Sequence, residues 1–116
     1  MTIAGSDPSG GAGLQADLKT FHQHGVHGAA VVSLVTVQSS LGVRAVEPLS
    51  PRLVGHQLQT VLHDSSVDAV KTGALGSEGI VREVARCLAE GKAPLVVDPV
   101  LLSSSGARLL DAGAER

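Results

Sequence analysis

The sequence predicts an α/β fold, a mostly parallel sheet in a three-layer α/β/α sandwich. Three observations carry this. Apolar, strand-like runs alternate with amphipathic helical stretches along the chain. The longest run, Gly28–Gln38, is nearly continuous in apolar and β-branched residues, as in a strand covered on both faces. A glycine-rich turn joins a short first strand directly to a first helix.

Met1–Ala4 forms the first strand. Strands usually run to about five residues, so this one reads as trimmed at its beginning. The turn Gly5-Ser6-Asp7-Pro8-Ser9-Gly10-Gly11-Ala12-Gly13 follows, its glycines permitting positive φ and close backbone approach. A helix is expected over Gly13–His24, with Leu14, Leu18 and Phe21 facing the sheet and Gly25 closing it. Its N-terminus offers unpaired N–H groups and a positive dipole end, which suits an anion or a polar ligand.

After Gly28–Gln38 the chain turns at Ser39–Gly42, and Val43–Glu47 alternates like a short, half-exposed strand or flap. Ser50-Pro51 is a helix start, a hydroxyl N-cap followed by proline at the first helical position. That helix carries a stripe of Leu53, Val54, Leu58, Val61 and Leu62 and ends near Asp64. Val67–Thr72 is a strand. Ser77 caps a helix with the stripe Ile80, Val81, Val84, Ala85 and Leu88, closed by Gly91, and Pro94–Val100 is a buried strand. Asp111–Arg116 reads as an N-cap and the first turn of another helix, too short to be stable alone. Both ends therefore read as cut, and the chain as a fragment of a longer protein.

Composition sets further bounds. With 116 residues there is one domain at most. Phe21 is the only aromatic residue, so the core must be built from Val, Leu, Ile and Ala. A net charge of −2 without a basic block leaves no footprint for nucleic acid. The single Cys87 excludes an internal disulfide and a cysteine-based zinc cluster, and its place on an apolar stripe reads as packing. His22, His24, His27, His56 and His63 lack metal-ligand spacing and read as surface or structural. There is no apolar run long enough to span a membrane and no secretory signal pattern, so the chain reads as cytoplasmic.

In open parallel sheets ligands bind beyond the carboxyl ends of the strands. Those ends collect Gly5–Gly13, Gln38, Lys71-Thr72-Gly73-Ala74-Leu75 and Asp98-Pro99-Val100. The set suits a small polar molecule, with an acidic residue able to face a metal-bound phosphate. Each member also has a plainer reading: Gln38 as a turn bond, Asp98 as an Asx-turn, Lys71 as a salt-bridge partner, Asp17 as a complement to the helix dipole. No Gly-Lys-Ser/Thr follows the turn, so it is not a Walker A loop. Gly11-x-Gly13-x-x-Ala16 matches the loose dinucleotide pattern, but Gln38 stands where that pattern needs an acid.

The stretch from Thr2 to Phe21, TIAGSDPSGGAGLQADLKTF, resembles the opening signature of the hydroxymethylpyrimidine/phosphomethylpyrimidine kinases of thiamine biosynthesis, members of the ribokinase-like superfamily. Lys71–Leu75 and Val96–Val100 are similar to their second and third blocks. The resemblance implies the amino-terminal half of one ribokinase-like kinase domain over residues 1–116. It implies phosphorylation of 4-amino-5-hydroxymethyl-2-methylpyrimidine, then of its monophosphate, with ATP and Mg²⁺. By the same resemblance the pyrimidine contacts are Gly5, Ala12, Gly13, Asp17, Thr36, Gln38, Ala74 and Val100. Asp98 and Lys71 lie on the phosphate and metal side, and Asp98 faces Mg²⁺, directly or through water.

Ala74 replaces the methionine of many members, and Ser104 the lysine of their Ala-Lys-Ser-Gly run. The family's Gly-Thr-Gly-Cys anion hole is not in these residues, so no catalytic residue is expected here and the chain alone is expected not to turn over. Val43–Glu47 falls where the family has a flap and dimer contact, which implies a homodimer. Two alternatives stand beside this reading. Pyridoxal/pyridoxine kinases share the glycine-rich opening but tend to depart from glutamine at the position of Gln38, and a non-catalytic pyrimidine-binding module needs no phosphate-transfer parts.

Overall fold

A computed structural model describes residues 1–115. Five strands and three α-helices follow one another as β1 (Thr2–Ser6), α1 (Gly13–Gln23), β2 (Ala30–Ser39), β3 (Gly42–Pro48), α2 (Pro51–Asp64), β4 (Val70–Thr72), α3 (Glu78–Leu88) and β5 (Leu95–Val97). The sheet order is β3-β2-β1-β4-β5. β1 pairs in parallel with β2 and β4, β4 in parallel with β5, and only β2–β3 is antiparallel.

The chain leaves β1 to one side to make β2, then returns across it to make β4 and β5. Right-handed crossovers therefore put α1 on one face and α2 with α3 on the other. Successive residues of β1 show both layers. Ile3 joins the core with Val31, Val54, Leu58, Val70, Ile80 and Val84 of the α2–α3 side. Its neighbour Thr2, turned the other way, donates its hydroxyl to Asp17 of α1 at 2.6 Å.

Local chemistry sets the helix ends. α1 stops in a Schellman arrangement: the Gly25 amide donates to His22 O, the Val26 amide to Phe21 O, and Gly25 takes φ +68°. Ser50 accepts from the Leu53 amide ahead of Pro51, and Ser77 accepts from the Ile80 amide. Where β3 does not cover β2, α2 does. Gln57 donates from Nε2 to Val32 O and accepts from the Val32 amide, filling one peptide unit of an otherwise bare edge.

Several expectations are corrected. β2 is not covered on both faces: Val35 and Val37 are exposed where the strand reaches the end of β1 and runs on as a hairpin with β3. β5 is shorter than Pro94–Val100 and is not buried. Leu95, Val96 and Val97 are 48%, 62% and 62% exposed, since β5 is the sheet edge and pairs only with β4. β4 is confined to Val70–Thr72, the part that finds partners on both sides. Leu53, Leu62 and Ala85 lie at the outer margins of their helical stripes and are exposed. Asp111 opens a 3₁₀ turn over Ala112–Glu115 rather than an α-helical one, and Arg116 lies outside the described residues. Cys87 packs half-buried against the core, and the five histidines are exposed. No helix is long and apolar enough to cross a membrane.

Candidate small-molecule site

The four clusters at the strand ends meet in one cleft of about 340 Å³. The β1–α1 turn supplies Gly5, Ala12 and Gly13, and α1 supplies Asp17. β2 supplies Thr36 and Gln38, β4 and its exit supply Lys71 and Ala74, and the exit of β5 supplies Asp98 and Val100. Leu34 and Leu109 add buried apolar wall, and Ser103 and Ser104 stand on the opposite rim. The ten residues that the resemblance assigned to the site thus line the same cleft, while Pro8–Gly11, Thr72, Leu75 and Pro99 of the strand-end stretches do not.

Gly13 fixes the wall at the turn. Its φ is +58°, and a Cβ there would collide with the carbonyl oxygen of Gly5. On the facing wall, Thr36 Oγ1 lies 3.0 Å from Ser6 O and 3.1 Å from Gln38 Oε1. This ties the end of β1 to the amide of Gln38. The bond to Oε1 uses one of its two lone pairs and leaves the other, with both Nε2 hydrogens, for a ligand.

At the other end Lys71 Nζ donates to both Asp17 oxygens at 3.1 Å and stands 3.7 Å from Asp98 Oδ2. Two carboxylates share one ammonium, so the trio keeps a net negative charge. Asp98, about half-exposed, carries the side of that charge open to solvent.

Asp7 lies outside the set drawn from the sequence, and it organises the turn. The residue is 3% exposed, and its carboxylate accepts from the Ser9 amide and hydroxyl and from the Gly11 and Ala12 amides. Lys19 closes the outside of the turn by donating to Gly10 O at 2.8 Å. The readable signal was Asp7-Pro8-Ser9-Gly10, the composition of an Asx-turn. The amides that Asp7 takes belong to the turn that leads into α1; those of Gly13, Leu14 and Gln15, the first turn of the helix, are not among its partners.

Burial alone would raise the Asp7 carboxyl, but the bonds from Ser9, Ala12 and Gly11 together hold it below its ordinary 3.8. A depressed folded-state pKa means the carboxylate adds stability that is complete above the ordinary value. That stability is lost as pH falls from there through the folded-state value. Urea midpoints at successive pH values below about 4 should therefore fall further for the wild type than for Asp7→Asn. Equal slopes would show that Asp7 does not stabilise the turn as a carboxylate.

Mg²⁺ commonly takes one or two carboxylates together with substrate phosphates and water. Asp98 fits as one such carboxylate, and among the described residues no group of three acidic, histidine or cysteine side chains forms a self-sufficient metal site. A nucleotide triphosphate is not fitted by these residues. The Ser9, Gly11 and Ala12 amides of the turn are bound to Asp7, and Lys71, a cation lining the cleft, is already paired with carboxylates.

A mostly parallel α/β sheet with a cleft at its strand ends is the architecture of ribokinase-like kinases, and solved structures similar to this chain belong to that class. Residues 7–116 match the family described as phosphomethylpyrimidine kinase, and the chain belongs to that family. It is 46% identical over 114 residues to the hydroxymethylpyrimidine/phosphomethylpyrimidine kinase of Synechococcus elongatus, an alignment covering 98% of this chain and 43% of that protein. The crystal structure of phosphomethylpyrimidine kinase from Clostridium difficile 630 superposes with a TM-score of 0.89 at 45% identity, covering 98% of this chain and 50% of that one. Pyridoxal kinase from Staphylococcus aureus, in complex with AMP-PCP and pyridoxal, gives 0.75 at 40% identity over 85% of this chain and 38% of that one. The chain thus spans half or less of the length of these relatives.

Proposed function

We propose that residues 1–116 form the acceptor-binding half of a single kinase domain that phosphorylates 4-amino-5-hydroxymethyl-2-methylpyrimidine and then its monophosphate, using ATP and Mg²⁺. Gln38 carries this reading. Its amide, held from one side by Thr36, keeps an acceptor and two donors for the amino group and ring nitrogen of an aminopyrimidine edge. Gly5, Ala12 and Gly13 form the wall against the ring, with Ala74 and Val100 on the other side. Asp17 lies toward the hydroxymethyl arm, held by Lys71 and Thr2. Asp98 lies toward the metal-bound phosphates. Metal and nucleotide supply charge neutralisation and the phosphoryl group; these residues bind and orient the acceptor. Transfer itself needs groups outside this set, so binding without turnover is expected of the chain alone. The reaction belongs in the cytoplasm. The exposed Val35, Val37 and Leu41 of the β2–β3 hairpin support a homodimer.

Pyridoxal kinase is the second reading, favoured by the S. aureus structures among the neighbours. Calorimetric titration of the chain with the hydroxymethylpyrimidine and with pyridoxine separates them. Saturable pyrimidine binding, with pyridoxine at least about tenfold weaker and no ATP consumption, is expected. Preference for pyridoxine would replace the reading by the second, and ATP turnover would refute the division of labour.

A further inference from the structure

The turn between β1 and α1 contains its own anion. Asp7 is almost fully buried, yet among the described residues no cationic side chain pairs with it. Its charge is answered by backbone amides of the turn leading into α1 and by one hydroxyl. Oδ1 takes the Ser9 amide at 2.8 Å and the Ser9 hydroxyl at 2.7 Å, and Oδ2 takes the Gly11 amide at 3.1 Å and the Ala12 amide at 2.8 Å. Amides converging in a turn form the kind of nest that elsewhere holds phosphate. Here a covalently tethered carboxylate fills it. The main chain of Asp7 is fixed as well: its amide donates to Gln15 Oε1, and Gln15 Nε2 donates to Ser6 Oγ.

We propose that Asp7 is a positioning residue whose carboxylate permanently occupies the anion nest of the glycine turn, holding Ala12 and Gly13 in the shape that lines the cleft and closing the nest to any phosphate. The part that concerns ligand affinity rests on the pyrimidine reading above; the occupancy of the nest does not. Two consequences follow. An incoming phosphate finds a carboxylate where the Ser9, Gly11 and Ala12 amides would otherwise attract it. Removing the carboxylate leaves several donors unpaired around a vacated site that a small carboxylate anion can refill.

The test is chemical rescue of Asp7→Ala. In the variant, pyrimidine affinity is expected to fall at least about tenfold, the loss of one or more hydrogen bonds to charged groups. Titrating formate should restore it and return the Ser9, Gly11 and Ala12 amide resonances toward their wild-type positions. Formamide, similar in size but uncharged, should do neither, and formate should leave the wild type unchanged. A folded variant that binds like wild type, ignores formate, or answers formamide equally overturns the proposal. Should Asp7→Ala fail to fold, the yield of folded protein after refolding in formate is compared with that in formamide. A gain confined to formate supports the proposal, and equal yields overturn it. A wild type that binds no pyrimidine refutes the function proposed above, while the amide resonances still decide the role of Asp7.

Discussion

Gly13→Ala should lose about 3 kcal/mol of stability and the ordered cleft wall with it. The left-handed conformation at φ +58° costs a residue with a side chain about 1–2 kcal/mol. The added Cβ also collides with the Gly5 carbonyl, a backbone atom that cannot rotate away. Relief requires the turn to move off β1, which breaks the amide bonds to Asp7 as well. A loss of that size lowers the thermal midpoint of a domain this small by roughly 10 °C or more. Urea denaturation gives the free energy directly. A change under about 1 kcal/mol would mean that the turn relaxes freely and that glycine is not required there.

Gln38→Leu tests function and not folding. Gln38 is half-exposed, so stability should stay within about 0.5 kcal/mol of wild type. Pyrimidine affinity should fall on the order of 100-fold, because the aminopyrimidine edge would be desolvated against a side chain offering no hydrogen bonds. Gln38→Glu keeps the acceptors but removes the donors, and should fall between the two. Calorimetry on the three proteins provides the measurement. Undiminished binding by Gln38→Leu would move the recognition of the ring to another residue and remove the observation on which the pyrimidine reading rests.

These two substitutions also show what was legible in the residues alone. The position of a turn between a strand and a helix marked Gly5–Gly13 as a ligand wall, and strand-end arithmetic marked Gln38, Lys71, Ala74 and Asp98. Gly5, Ala12, Gly13, Gln38, Lys71, Ala74 and Asp98 all line one cleft. The reason is topological: parallel strands joined by right-handed crossovers deliver every β-to-α exit to the same side, whatever the side chains are. Helix ends were equally legible, since Ser50, Ser77 and Gly25 act through backbone groups a few residues away.

Pairwise contacts were not legible. The order β3-β2-β1-β4-β5 leaves β5 at an edge, so a run as apolar as Leu95-Val96-Val97 is exposed, and the second strand outruns its cover at Val35 and Val37. Gln57 against Val32 and Lys71 between Asp17 and Asp98 join residues far apart in the chain, and no local pattern announces such bonds. The same holds inside the glycine turn. The sequence by itself determined that strand, turn and helix meet there with the freedom glycine provides, and that a ligand wall results. Only the tertiary structure decided that the Ser9, Gly11 and Ala12 amides of the turn are already taken. An anion nest and a filled anion nest have the same composition, and what separates them is where one buried carboxylate, Asp7, directs its two oxygens.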